Sequence, residues 1–376
     1  MDFDLSNEQR LLDETVRRLI KDEYAFERRK KYRAEADGFS RKLWARYAEL
    51  GLLGLTLPER HGGFGGGAVE TMIAMESFGR GLVVEPYLAT VVLGAGLVQA
   101  LGNQAQQEAI LPRVAQGEML LAFAHGERPA RYRLSHVETE AKRAGDEYRL
   151  SGQKGVVLHG DVADKLIVSA RTSGGARDGQ GISLFLIDRD TQGLAVRSYP
   201  TIDGLRAAEI ELEGVRVGRE ALLGPENGAY AAIEHTVDRA LAALAAEAVG
   251  LMAALNATTL EYLKTRKQFG VPIGSFQALQ HRMVDMTLEH EISRSMAILA
   301  ALSADSNDRT QRRRAISGAK VQIGRSGRFV GEQAIQLHGG IGMTDEYIAG
   351  HYFKRLRMID QTFGDVDHHL EQFAAA

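Results

Sequence analysis

The chain has no cysteine in 376 residues, which excludes disulfides, thiolate metal centres and cysteine nucleophiles and fits a reducing compartment. It also lacks a strong charge of either sign. The formal net charge of −3 gives no reason to expect nucleic acid or acidic lipid as the main partner. The N-terminus, Met1-Asp2-Phe3-Asp4-Leu5-Ser6, has no basic-then-apolar signal segment. No run approaches the eighteen apolar residues of a membrane span, since residues 229–257 are broken by Glu234, Asp238, Arg239 and Glu247. No internal repeat is found. These absences imply a cytoplasmic protein with neither membrane nor nucleic acid as partner. What is present is ordinary for a globular protein, 44% hydrophobic and 25% charged, and the length implies two or three sub-domains.

Residues 1–118 read as a helical domain. Ser6 followed by Glu8-Gln9 makes a cap, after which Leu11, Leu12, Val16, Leu19 and Ile20 recur at helical spacing. A second helix runs from about Ser40 to Gly51. The glycine run after Pro58-Glu59-Arg60-His61 lacks the lysine and hydroxyl of a phosphate-binding P-loop and reads as a plain loop. Residues 119–225 change character. Short β-branched runs at 147–150, 165–170, 181–187, 194–198 and 208–212, separated by Gly-, Asp- and Ser-rich turns, predict a small antiparallel barrel or sandwich. Residues 226–376 predict a helical bundle with long helices over 229–265, 277–304 and 311–337. The basic run Thr310-Gln311-Arg312-Arg313-Arg314 has no interleaved aromatics and reads as a solvated face.

Two separated motifs carry a specific signal: Tyr262-Leu263-Lys264-Thr265-Arg266-Lys267-Gln268-Phe269-Gly270 and Gln336-Leu337-His338-Gly339-Gly340-Ile341-Gly342. With Leu57-Pro58-Glu59, the segment Tyr148-Arg149-Leu150-Ser151-Gly152 with Lys154, and Leu223-Gly224 in the same order, the whole chain resembles the acyl-CoA dehydrogenase family. The resemblance implies a mainly helical α+β fold: N-terminal helical domain, small β domain and C-terminal four-helix bundle. It also implies FAD, an acyl-CoA substrate and an electron-transfer flavoprotein as electron acceptor. In the family both motifs reach across a subunit interface to the ADP half of a neighbour's FAD, so Arg266, Gln268, Phe269, Gln336, Gly339 and Gly340 are the expected cofactor residues. The residue types suit the task. Arginine offers a planar multi-donor fork to a pyrophosphate, and a glycine pair lets backbone N–H groups approach phosphate.

The chain then departs from the family pattern. The carboxylate that removes the proton α to the thioester carbonyl usually lies in a Tyr-Glu-Gly-Thr segment, which here reads Phe363-Gly364-Asp365-Val366. Gly364 thus replaces the glutamate and Val366 the threonine. The alternative base position, early in the first long bundle helix, falls on Ala240 with Leu241 where an arginine is expected. Asp238 lies two residues early, about 200° around a helix. In the β domain, His125-Gly126-Glu127-Arg128-Pro129-Ala130-Arg131-Tyr132 replaces a segment that meets flavin and CoA, and Val156-Val157-Leu158 replaces Trp-Ile-Thr/Ser. No metal site is expected from Asp365, Asp367, His368 and His369.

Contacts to a neighbour's FAD are thus kept, while the base and flavin-ring contacts are not. This pattern resembles the two-subunit members of the family, including the small subunit of bacterial pimeloyl-CoA dehydrogenase. The implied assembly is an α2β2 heterotetramer with half the usual FAD content, in which a homologous subunit supplies the catalytic glutamate. Two alternatives remain open at this point: a self-sufficient homotetramer using Asp365 or Asp238 as base, and a CoA- or protein-binding scaffold without redox function.

Overall fold

The computed structural model describes residues 5–376. In chain order the elements are α1 (Asn7–Glu23), α2 (Phe26–Ala34), α3 (Arg41–Glu49), α4 (Ala68–Gly81), α5 (Gly96–Leu101) and α6 (Gln104–Ala115). Strands β1 (Leu121–Ala124), β2 (Glu140–Ala144), β3 (Glu147–Leu158), β4 (Lys165–Arg171), β5 (Ile182–Asp188), β6 (Leu194–Pro200), β7 (Arg206–Gly218) and β8 (Leu222–Leu223) follow. The chain returns to helix with α7 (Tyr230–Thr265), a hairpin of β9 (Lys267–Gln268) and β10 (Val271–Pro272), α8 (Gln277–Ala304), α9 (Arg309–His338), α10 (Ile348–Gln361) and α11 (Val366–Ala375). It divides into two compact units, one of residues 1–32, 67–83 and 241–376, the other of residues 33–66 and 84–240.

The second unit is built on one sheet in the order β6-β7-β3-β2-β4-β5-β8, with β1 paired to β4. Most pairings are antiparallel, but β1 and β2 run parallel to β4, so the expected antiparallel sheet is mixed. Alternation along β3 and β7 sends Tyr148, Leu150, Val157, Ala208, Ile210 and Leu212 into a core shared with Leu166, Val168, Phe185 and Ile187, the period-2 burial expected of strands. Ahead of the sheet, a π-helical stretch over Leu88–Ala95 runs into α5.

The first unit is helical. Ser6 and Gln9 form a reciprocal capping box at the start of α1, as the sequence predicts. The bundle helices α8 and α9 are antiparallel neighbours joined by a short turn, and the Asp308 carboxylate caps α9 by accepting from the Gln311 N–H. A small-residue stripe on α9 brings α10 close. A Cβ on Gly324 would lie 2.5 Å from the Asp360 Oδ1, and one on Gly331 would lie 2.4 Å from the Phe353 ring. Arg355 and Glu247, both buried, form a bidentate pair at 2.6 and 2.7 Å that ties α10 to α7.

Two expectations need correction. Although interrupted by charges, α7 is long and apolar enough to cross a membrane by length and composition, and 83% of its most apolar window is buried inside the protein; it is a core helix. The basic run at the start of α9 is not simply a solvated face. Arg312 is buried and donates to the Ser306 carbonyl, Arg313 donates to Gln372, and Arg314 lies 4.8 Å over the Phe373 ring.

Candidate functional site

The first motif begins in the last turns of α7 and ends in the hairpin. Val271 pairs with Gln268 and Pro272 with Lys267, leaving Phe269-Gly270 as a two-residue loop with φ of 55° and 82°. Positive φ at both central residues is the type I′ geometry that matches the twist of the flanking strands. For a bulky residue such as Phe269 this backbone is strained, and its side chain is 93% exposed. The Ile273 N–H donates to the Arg266 carbonyl at 2.8 Å and closes the base of the hairpin. The Arg266 side chain makes no hydrogen bond or ion pair with the described residues and is exposed. Gln268 is exposed too, and its amide donates only to the adjacent Lys267 carbonyl.

The second motif ends α9. Gln336 is exposed, and Gly339 closes the helix at φ 62°, ψ −141°, its N–H donating back to the Gln336 and Ile335 carbonyls. A Cβ built on Gly339 or Gly340 meets nothing within 4 Å. This is an open glycine cradle at the surface.

The fold brings the two motifs together through rings that the sequence analysis did not single out. The His338 ring lies 4.7 Å from that of Tyr262 and 5.0 Å from that of Tyr347. His338 Nδ1 lies 2.8 Å from the Ala334 carbonyl, so it carries the proton and donates. Burial lowers the pKa of this histidine, while its buried Nε2 has no partner among the described residues. The neutral imidazole is therefore a packed spacer that sets Gly339 beside the end of α7. Both rings lie inside the quoted motifs, but their contact joins positions 262 and 338 and has no local signal.

The base position is closed. Gly364 is buried at φ 124°, and a Cβ there would lie 2.5 Å from the His368 ring and 2.6 Å from His369 Nε2. Asp365 caps α11, its carboxylate accepting from the His368 N–H at 3.0 Å. Asp238 is buried on α7 and engaged by other groups; Ala240 and Leu241 are buried and apolar. Beneath the loop, the fully buried Lys320 donates to the carbonyls of Ile359, Asp360 and Thr362 at 2.6, 3.2 and 3.1 Å. Burial pulls this amine down to about 7 against the pull of Asp360 and Asp365.

In the β domain His125 and Glu127 of the substituted segment are buried and consumed internally, while Arg128 and Arg131 are exposed. Lys154 donates to Glu127 at 2.6 Å and to Ser169 at 3.0 Å, and burial lowers its pKa to about 8. Glu127 also accepts the N–H groups of Glu138 and Thr139. Burial works against its charge, but Lys154 and these hydrogen bonds hold its pKa below the ordinary value. His125 sits on Ser169 at 2.9 Å and stacks on Phe123; burial, then Lys154, pushes its pKa down to about 3. Val156 stands exposed at φ 51° on a bulge of β3, and Val157 is buried. A polar ring edge finds no side-chain donor or acceptor along Val156-Val157-Leu158. The chain's residues therefore fit the diphosphate end of a dinucleotide, through an unpartnered guanidinium and an open glycine pair, and do not fit a flavin ring in its own β domain.

Comparison with known proteins agrees with this architecture over the whole chain. Residues 6–118, 122–215 and 226–376 match the N-terminal, middle and C-terminal domains of acyl-CoA dehydrogenase. The chain is 35% identical over 353 residues to the probable acyl-CoA dehydrogenase YngJ of Bacillus subtilis, covering 92% of each. Among solved structures it is similar to a variant of the Tcur3481-Tcur3483 steroid acyl-CoA dehydrogenase, with a TM-score of 0.88, 31% identity and 98% and 97% of the two chains covered. It is also similar to the FAD complex of PigA, with a TM-score of 0.91, 26% identity and 100% and 98% covered. The chain belongs to the acyl-CoA dehydrogenase family of oxidoreductases. FAD is the cofactor expected of that family.

Proposed function

We propose that this chain is the non-catalytic subunit of a two-subunit, FAD-dependent acyl-CoA dehydrogenase, of the kind represented by the small subunit of pimeloyl-CoA dehydrogenase. It assembles as an α2β2 heterotetramer with a homologous subunit that carries the glutamate base. The observation that carries this reading is the closed loop at Gly364, in a chain whose Arg266 side chain has no partner among the described residues and whose Gly339-Gly340 face is open.

In this reading Arg266 pairs with the pyrophosphate of the FAD held by the partner, and the side-chain-free face of Gly339 and Gly340 lets the phosphate approach the backbone closely. Gln268 and Gln336 hydrogen-bond the ADP portion, and exposed Phe269 covers it from water. When bound, FAD would supply the acceptor for the hydride from the β carbon of the acyl thioester, with the α proton going to a base on the partner subunit and the electrons to an electron-transfer flavoprotein in the cytoplasm. The naming of the Tcur3481-Tcur3483 enzyme after two polypeptides favours a two-chain arrangement. Asp365 is spent as a helix cap and Asp238 is buried and engaged, so neither supports a self-sufficient enzyme.

The test is FAD content. Purified alone, the chain should retain little or no FAD; co-purified with a homologue that has an intact Glu-Gly-Thr segment, it should yield one FAD per pair of chains. One FAD per chain in the isolated protein, with bleaching on addition of acyl-CoA, would overturn the proposal.

A further inference from the structure

We propose that the segment 359–369 is a closed brace in which His368 and His369 together fill the volume a base at position 364 would need, and that this brace anchors the last helix. Glycine at 364 is then a structural requirement of the new arrangement and not the mere absence of a carboxylate. The inference deepens the reading of the chain as a non-catalytic subunit, and rests on it only in treating position 364 as the place a base would occupy.

Three residues of α9, Ser317, Lys320 and Gly324, lie at i, i+3 and i+7 and so share one face. All three meet the segment. Ser317 Oγ lies 3.4 Å from His369 Nδ1, Lys320 donates to three carbonyls at the end of α10, and a Cβ on Gly324 would lie 2.5 Å from both Asp360 and Val366. From the other side, His369 Nε2 lies 3.2 Å from the Phe363 carbonyl and donates to it, which leaves Nδ1 to accept from the Ser317 hydroxyl. Lys320 from α9 and His369 from α11 thus donate to carbonyls of residues 359–363, in the last turn of α10 and just past it, where helix-end carbonyls lack intrahelical partners.

The backbone agrees. Phe363 and Gly364 have φ of 56° and 124°, and the second is a region open in practice to glycine alone. The direction in which a Cβ would leave Gly364 points at His368 and His369, into the protein. A glutamate at 364 therefore faces both a forbidden backbone and an occupied volume. Both His369 and Lys320 are buried, so the brace is held by groups that water cannot replace.

The test is a double-mutant cycle on the full-length chain, read by thermal unfolding. Gly364→Ala should lower Tm by several degrees, the paired change His368→Ala with His369→Ala should lower it too, and the variant carrying all three should lose clearly less than the two losses together, because removing both imidazoles frees the space the methyl group needs. An unchanged Tm in Gly364→Ala would show that the loop is not committed to glycine, and strict additivity would show that the two imidazoles do not fill the space; either overturns the proposal. If Gly364→Ala does not fold, hydrogen exchange in His369→Ala decides: amides of Val366–Ala375 should exchange about tenfold faster than in the parent while those of α8 stay unchanged, and equal rates would overturn it. The FAD count of the co-purified pair is a separate readout. A stable brace beside one FAD per isolated chain would sink the divided-site reading and spare this one.

Discussion

The chain contains two Phe-Gly dipeptides in which both residues have positive φ, and they have opposite surroundings. At Phe269-Gly270 the ring is 93% exposed and nothing lies within 4 Å of a Cβ on the glycine. At Phe363-Gly364 the glycine is buried and two imidazoles lie within 2.6 Å of the same hypothetical atom. Strain at a backbone persists only where its surroundings impose it or function uses it. At the first site the chain imposes little beyond two strand pairs, so the strained turn presents its side chains outward to something the chain does not contain. At the second site everything needed is already inside. The difference separates a turn whose ring faces out of the chain from one whose glycine is closed in by the chain's own imidazoles; under the proposed function the first is the surface that meets the partner's FAD.

The sharpest way to break this comparison is to remove the cation from the closed side. Lys320→Met takes a donor from three carbonyls, two buried and one part-buried, of which that of Ile359 keeps the Thr362 N–H; with unmet buried groups costing about 1–3 kcal/mol each, a net loss on the order of 3 kcal/mol is expected in denaturant unfolding. The pH dependence supplies a second signature. The amine titrates near 7 in the folded chain against an ordinary 10.5. Between those values the unfolded chain holds a proton that the folded chain has released, so stability rises with pH across that window. Lys320→Met should lose that contribution to the slope. A variant as stable as the parent would mean the closed side is not held from α9.

On the open side the expected effect falls on binding. Arg266→Ala should weaken FAD retention in the co-purified complex by about 10–100-fold, the worth of a charge-assisted hydrogen bond of roughly 1.5–3 kcal/mol. The Tm of the isolated chain should not move, because the Arg266 side chain has no hydrogen-bond or ion-pair partner among the described residues. A fall in Tm with unchanged FAD content would reverse the assignment and make Arg266 structural.

Much of the fold was legible because its signals are local. Ser6 with Gln9 announced the first cap, and α8 runs over the predicted residues 277–304. The strands were found where β-branched runs alternate, although β3 and β7 extend past the predicted ends and the short β1 and β2 were not predicted. The missed features depend on distance. The parallel pairing of β1 with β4 joins Leu121 to Lys165. Lys320 reads as one more polar residue on a bundle helix until the end of α10, some forty positions later, places three carbonyls around it. At the site, substitution of the glutamate by Gly364 was plain in the sequence. That the backbone had also turned inward was not, since φ at a glycine is set by its surroundings and here those include His369. The role of Asp365 as a cap was readable, because an aspartate ahead of a helix has a local partner in the N–H three residues on.

The smallest expected effect carries the opposite sign. Phe269→Gly relieves a positive φ that costs a non-glycine residue roughly 1–2 kcal/mol and adds unfolded-state entropy worth about 0.5–1 kcal/mol. The net change in the isolated chain should be between zero and a gain of about 1 kcal/mol, because the exposed ring loses only its edge contact with Phe276 at 6.2 Å. FAD retention in the complex should fall. A residue whose removal stabilises the chain and impairs the assembly is one the fold holds under strain for the sake of what binds. If Phe269→Gly destabilises the isolated chain and leaves FAD content intact, the ring belongs to the chain's own packing and the two Phe-Gly turns are alike after all.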